Sequence, residues 1–391
     1  MTTSIVLCTL LCAVTPCAQD DGATMAPIDG LSPGGAGSSW TERHDVQFNL
    51  YGNLLARKDD HGIEADKLGD DITDIARLRQ VDLAFRATIE EGVDTVLTAS
   101  IQSNRVNTEY GVDIEEAYLD IRRTLSWDMP PGMSFMLGQF RTHFGYLNNV
   151  RVFDLPQINR PRALTQFFGD TGYSQMGVAI RYERPLPGSC GVLNGTWELL
   201  DSGNPPLTVD GPTGDGGATG AQVARLAWSC GGETGHALES GISHHHGRQA
   251  DRNPLRTDLT GLDTLYTWRA DDARHLRAVR LGAEWITAKI DRESSTPDEP
   301  ETWYLWSQAQ LGERWLVGAH YDFSEELDDS DLSTRTLGAT LTYLDSSNLR
   351  YSLGVEATKS DLGMLDGATR AFAGISFGIG SSPRRPFWVL H

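Results

Sequence analysis

The side chains of this sequence that could do chemistry are charged residues recurring at every second position. Glu116, Asp120 and Arg122 share one parity, as do Gln139, Arg141 and His143, then Arg181 and Glu183, then Arg280 and Glu284. Apolar or small residues fill the alternate positions, for example Ala117, Leu119 and Ile121 in the first set. A period of two separates the two sets onto opposite faces of a β-strand. Glu198, Arg225, His320, Asp322 and Glu356 fall on the polar face of other such segments. Acids and bases are mixed along that face, which suits the wall of a water-filled pore better than a packed interior.

Nothing in these residues forms a catalytic constellation. No Gly-x4-Gly-Lys phosphate loop occurs. Glu115 and Glu116 are adjacent carboxylates, but neighbours on a regular strand face opposite ways and do not cooperate. His244, His245 and His246 invite a metal ion. On a strand His245 points away from the other two, so no metal site is expected. The reading is of a protein that is not an enzyme and carries no cofactor.

The elements that must position the charged residues are short and numerous. Alternating segments fall at 45–57, 75–90, 94–104, 113–124, 134–146, 173–184, 190–201 and 221–230. They continue at 236–246, 260–270, 276–290, 302–311, 314–324, 334–345, 349–359 and 369–379. The breaks between them are alternately short and long. This predicts an all-β fold: a transmembrane antiparallel β-barrel of about 16 strands with short periplasmic turns and long extracellular loops. Closure follows physically, because an open sheet edge in lipid leaves backbone groups without partners. Tyr146, Tyr173, Tyr182, Trp228, Tyr266, Trp268, Trp285, Trp303, Tyr321 and Tyr343 sit near segment ends and are expected in interfacial girdles.

In the central pair, 134–146 places Met136, Gly138, Phe140 and Phe144 on an apolar face, and Gln139, Arg141 and His143 on the face expected toward the lumen. Between 134–146 and 173–184 runs NNVRVFDLPQINRPRALTQFFGDTG, too long for a hairpin turn and rich in apolar and Arg residues. A long loop with its own hydrophobic anchors is a functional feature. It is expected to fold into the lumen, pinned by Val152, Phe153, Leu155, Ile158, Leu164, Phe167 and Phe168, and to narrow a channel that would otherwise be wide. Arg141, His143, Arg151, Asp154, Arg160, Arg162 and Asp170 are the expected constriction residues. Glu116, Asp120, Arg122, Arg181, Glu183, Arg225, Arg280 and Glu284 are the expected lumen wall. Two roles stay open for the loop arginines: selecting solutes, or pairing with wall carboxylates to hold the loop.

The run GQFRTHFGYLNNVRVFDLPQINRPRALTQFFGDTGYSQMGVAIRYERPLP resembles the central segment of the phosphate-selective porin O and P-like family of outer-membrane channels. Weaker echoes lie at 76–83, 115–119 and 312–322. The resemblance implies a strand, a loop dipping into a barrel and a return strand. It further implies a homotrimer and an oxyanion-selective pore.

Composition bounds the remaining choices. A net charge of −20 over 391 residues argues against nucleic acid as a partner. The basic residues are almost all Arg, with Lys only at 58, 67, 289 and 359, and acid concentrates at 59–74 and 322–331. The apolar run at 5–14 reads as a signal peptide ending near Ala18. Expected boundaries are 1–18 for the signal peptide, 19–43 for a flexible leader, 44–380 for the barrel and 381–391 for a C-terminal tail. Cys190 and Cys230 would remain after cleavage at the two ends of one hairpin, where an oxidising compartment favours a disulfide. Their opposite parities require a bulge for that bond to form. The sequence therefore reads as a bacterial outer-membrane porin passing small hydrophilic solutes or anions. A non-conducting surface barrel serving as receptor or adhesin is the alternative from another class.

Overall fold

Wherever apolar and polar residues alternate, the chain is extended. The computed structural model describes residues 46–59, 77–103, 110–122, 129–188, 191–201, 220–231, 235–249, 255–270, 276–291, 297–327, 329–346, 348–361 and 367–380. The expected signal peptide (1–18), leader (19–43) and tail (381–391), with most of the acidic loop at 59–74, lie outside these residues. The strands are β1 (Gln47–Asp59), β2 (Arg77–Glu90), β3 (Val93–Ser103), β4 (Tyr110–Ile121), β5 (Met133–Arg141), β6 (Ser174–Pro185), β7 (Val192–Leu200) and β8 (Ala221–Gly231). They continue as β9 (His236–Gln249), β10 (Leu255–Arg269), β11 (Leu276–Ile290), β12 (Glu301–Leu311), β13 (Trp315–Glu325), β14 (Ser333–Leu344), β15 (Leu349–Ser360) and β16 (Ala368–Gly380).

Each strand pairs antiparallel with its neighbours in sequence, and β1 pairs with β16 from Asn49↔Gly380 to Asp59↔Arg370. The sheet is thus a closed sixteen-stranded barrel with no free edge, as expected. Alternation sorts side chains between lumen and exterior. Along β12, Thr302, Tyr304, Trp306, Gln308 and Gln310 are buried inward, while Leu305 and Leu311 stand exposed on the outer wall. The outer wall is a band of such residues, with Leu353 57% and Ile379 62% exposed. A surface of that kind belongs in hydrocarbon, where the closed ladder satisfies every strand.

Four expectations are corrected by the structure. β5 ends at Arg141 rather than at 146, so His143 and Phe144 belong to the loop. Its faces are also reversed: Leu137 is exposed outward while Met136 and Phe140 are buried inward. Gln139 follows Leu137, and its amide donates to the Ile114 carbonyl. A period of two separates faces but does not say which is inner, and here the lumen itself contains an apolar core. Next, the register of β3 against β4 shifts between Thr98 and Ala99, where Glu116 pairs with Thr98 and Ile114 with Ala99. This bulge turns Glu115 and Glu116 both inward, where each meets an arginine of its own. Finally, Tyr173 is buried in the lumen rather than in a girdle, and Tyr146 packs against the same core.

The expected disulfide involves Cys190, which lies outside the described residues; Cys230 sits in β8. A Gly-x-Ser-x-Gly sequence does occur, at Gly374, Ser376 and Gly378, but it lies inside β16. Ser376 accepts a hydrogen bond from Asn53 on the neighbouring strand at 3.1 Å. That is a ladder position, not the strand-to-helix elbow a nucleophilic serine needs.

Candidate functional site

The loop between β5 and β6 enters the lumen because its root is clamped. Thr142 N–H donates to the Tyr173 carbonyl at 3.0 Å, closing the neck. Asn148 reinforces it: the side-chain amide donates to the Thr142 carbonyl (2.9 Å) and hydroxyl (3.0 Å), and its oxygen accepts Tyr173 N–H (2.9 Å). Two 3-10 turns follow, Leu147–Asn149 and Val152–Asp154. The helix α1 (Arg162–Phe168) starts after Pro161, whose ring fixes the dihedral at its entry, and ends at Gly169 with φ +71°.

Apolar side chains hold the loop on one side of the barrel. Phe144, Leu147, Leu164, Phe167, Phe168 and Tyr173 form one core with wall residues Met136, Phe140, Leu259, Ile286 and Trp306. Phe168 stacks on Tyr173 with ring centres 6.0 Å apart and meets Phe144 at 5.2 Å. Phe168→Ala should therefore cost about 3–5 kcal/mol and lower the thermal midpoint of the protein in detergent. An unchanged midpoint would mean that the docked loop is no part of the cooperative unit.

Charges hold the loop as well. Arg141 pairs with Glu115 and donates to the Thr171 carbonyl. Arg151 pairs with Glu116 and donates to Thr98 at 3.1 Å. The Glu115–Glu116 bulge is thus the counter-charge for two arginines at the loop root. His143 Nδ1 lies 2.5 Å from Glu198, which also accepts the His143 backbone N–H at 2.9 Å. Arg162 makes two bonds to Glu326, at 2.9 and 2.7 Å, and Asp322 accepts Ala163 N–H at 3.1 Å. Arg160 has no acidic partner among the described residues. Its guanidinium instead collects the carbonyls of Leu147, Val150 (2.7 Å), Asp170 (3.2 Å) and Thr171 (3.5 Å). Burial, with the charge of Arg141 nearby, pushes its pKa down to about 9, so it still carries its proton at neutral pH.

Beside the loop, on the side away from that core, a line of cavities remains. A cavity of about 180 Å³ lies between loop residues Gln157, Asn159 and Arg162 and the wall of β1, β2 and β13–β16. Arg57, Arg79 and Arg370 line it from β1, β2 and β16, facing His320, Asp322 and Glu356 from β13 and β15. Glu356 accepts a bond from Asn159 at 3.0 Å and feels all three arginine charges. Arg79 also donates to the Ile158 carbonyl at 2.7 Å. Two smaller cavities, each about 30 Å³, continue along the same strands. Their wall residues step from Arg57 to Asn53 to Tyr51 on β1, and from Arg370 to Gly374 to Gly378 on β16. The three cavities are therefore in series along the wall, and the narrow ones have room for water and little more.

Among the expected constriction residues, Arg160, Arg162 and Asp170 line the passage and Asp154 lines the lowest cavity, while Arg141, His143 and Arg151 are tied into the wall. Among the expected wall residues, Asp120 pairs with Arg181 and Arg122 with Asp94. Arg225 pairs with Asp263 and Glu239. Arg280 donates to Thr267 at 3.2 Å, Glu284 accepts the Tyr304 hydroxyl at 2.6 Å, and Glu183 is exposed at the short-turn end of β6. Arg57, Arg79 and Arg370 were not among the sequence candidates. Extending the parity along β1 and β16 reaches Arg57 and Arg370. Arg79 escapes it, because a register shift between Asn53 and Leu54 leaves it beside a bulge.

No protein-family model and no curated protein matches this chain. Solved structures do. The outer membrane channel DcaP of Acinetobacter baumannii aligns over 86% of this chain and 97% of its own, with TM-score 0.55 and 11% identity. OprB of Pseudomonas putida aligns over 86% and 94%, with TM-score 0.54 and 10% identity. In-vitro folded OmpT of Vibrio cholerae, an outer membrane protein in trimer form, aligns over 86% and 99%, with TM-score 0.51 and 9% identity. At such identities the likeness is one of fold.

Proposed function

We propose that this chain is a bacterial outer-membrane porin: a passive channel for small hydrophilic solutes or ions, gated in size by the docked loop. The charged passage beside that loop carries the proposal. A barrel built only as a surface receptor has no need of three cavities in series lined by arginine, carboxylate and threonine. An outer-membrane address fits the apolar outer wall and the expected signal peptide. A homotrimer is part of the same proposal, supported by the sequence resemblance and by the trimeric OmpT barrel.

The finer reading is preference for anions, including oxyanions such as phosphate. It rests on the sequence resemblance and on Arg57, Arg79, Arg162 and Arg370 around one small cavity. Guanidinium groups suit phosphate and carboxylate because their planar fork donates two bonds at once. The facing Asp322 and Glu356 offset part of that field.

Planar-bilayer recording of the purified protein tests the proposal. Stepwise conductance is expected, with a reversal potential on the anion side in asymmetric KCl, lost on boiling. A folded, heat-modifiable barrel that carries no steady current would favour the receptor or adhesin reading instead.

A further inference from the structure

Lysine is rare in this chain, and the three described lysines share one location. Lys58, Lys289 and Lys359 all project from the outer wall, near the long-loop ends of β1, β11 and β15. On one side of the barrel such cations are neutralised: Lys289 lies 3.4 Å from Glu299, and Arg256 on β10 lies 2.6 Å from Asp258. On β14 and β15 they are not. Arg335 and Lys359 are directly opposed across the ladder, both exposed, and neither has an ion-pair partner among the described residues. Asp361 feels both charges but is engaged by Ser333 through its N–H (3.0 Å) and hydroxyl (2.9 Å). Arg335 rests over the Phe323 ring at 5.7 Å, which supplies no counter-ion, and like charges facing each other across a strand pair repel.

Below this pair the outer face of the same two strands is apolar. In order come Leu337↔Ala357, Ala339↔Val355 and Leu341↔Leu353, and then Tyr343↔Tyr351. The stretch from the cations to the tyrosines is about 26 Å along the strand, at roughly 3.3 Å per residue. Its lower part opens into a groove of about 700 Å³, bounded by Leu54, Leu341, Leu353 and Ile375 over the small residues Ala56 and Ala373.

We propose that this face is a seat for a phosphate-bearing membrane lipid. Its phosphate bridges Arg335 and Lys359, and one acyl chain runs down the ladder into the groove. The opposed cations select the headgroup, and the small residues make room for the chain. This rests on the barrel lying in a membrane, and not on what passes through it.

Native mass spectrometry of the full-length protein in detergent tests it. Dipalmitoyl phosphatidylglycerol is titrated against phosphatidylcholine of the same chain length, with inorganic phosphate as competitor. Phosphatidylglycerol should be retained at a concentration about tenfold lower or more, since each surface cation contributes measurably to anionic lipid binding. Arg335→Gln with Lys359→Gln should abolish that preference, whereas Lys289→Gln should keep it. Ala373→Trp, which fills the groove without touching the charges, should weaken retention of both lipids. Equal retention of the two lipids by the unaltered protein would overturn the proposal, as would an unchanged preference in the double variant. Full displacement by inorganic phosphate would also overturn it, because the chain would then play no part. So would protection of the groove by a second copy of the chain, seen as lipid uptake only on dissociation. Channel conductance recorded on the same preparations separates a failure here from a failure of the porin reading.

Discussion

Replacing Arg160 by Met should raise single-channel conductance severalfold and admit larger sugars in liposome-swelling assays. Arg160 is 5% exposed and ties together four carbonyls from both halves of the loop, those of Leu147, Val150, Asp170 and Thr171. Methionine keeps most of the volume but donates nothing, so the Val150 and Asp170 carbonyls lose the arginine inside the lumen, while Leu147 keeps only Val150 N–H (3.1 Å) and Thr171 only Arg141. Each buried group left unsatisfied costs about 1–3 kcal/mol, so the combined loss rivals the whole benefit of docking that segment. The helix end of the loop should stay, because Leu164, Phe167 and Phe168 are fully buried in the lumen core. The stretch between the two 3-10 turns and Pro161 would be freed, and it is this stretch that closes the passage at Pro156 and Gln157. Conductance and size cut-off equal to those of the unaltered channel would show that the apolar core alone fixes the loop.

The barrel was legible because lipid outside and water inside impose the same test on every strand. Sixteen alternating segments were expected, and sixteen strands pair in that order. Most of the wall also follows parity: Asp120, Arg181, Arg225, Arg280 and Glu284 all face inward. The pattern failed where the lumen stops being aqueous. Met136 and Phe140 look lipid-facing in the sequence, yet they meet the loop's own phenylalanines inside. It failed again at the β4 bulge, where one extra residue brings Glu115 onto the face of Glu116. Nothing in the composition of residues 113–124 announces that bulge. Its purpose is visible only once Arg141 and Arg151 arrive from elsewhere in the chain.

Of the arginines expected to govern ion preference, Arg160 and Arg162 line the passage, while Arg141 and Arg151 are tied to wall carboxylates. Arg141 and Arg151 each face a carboxylate of their own, so their fields largely cancel at the passage. Arg57 and Arg370 line the widest cavity directly, opposite Glu356. At about 6 Å and an effective dielectric near 20, one such charge changes the energy of a passing ion by roughly 2–3 kcal/mol before the opposing acids are counted. Charges outside the barrel act over a screened distance of about 8 Å and contribute little. Arg57→Gln combined with Arg370→Gln removes two positive charges from the wall, and Arg79 stays in place to hold the Ile158 carbonyl. Asp322 and Glu356 then offset the remaining Arg79 and Arg162, so reversal potential in asymmetric KCl should move toward the cation side, with chloride permeability falling severalfold. Lys289→Gln changes charge on the outer wall and should leave reversal potential where it was. If the double variant keeps the original selectivity while Arg151→Gln shifts it, the filter lies at the loop root, and these arginines serve only to hold Glu356.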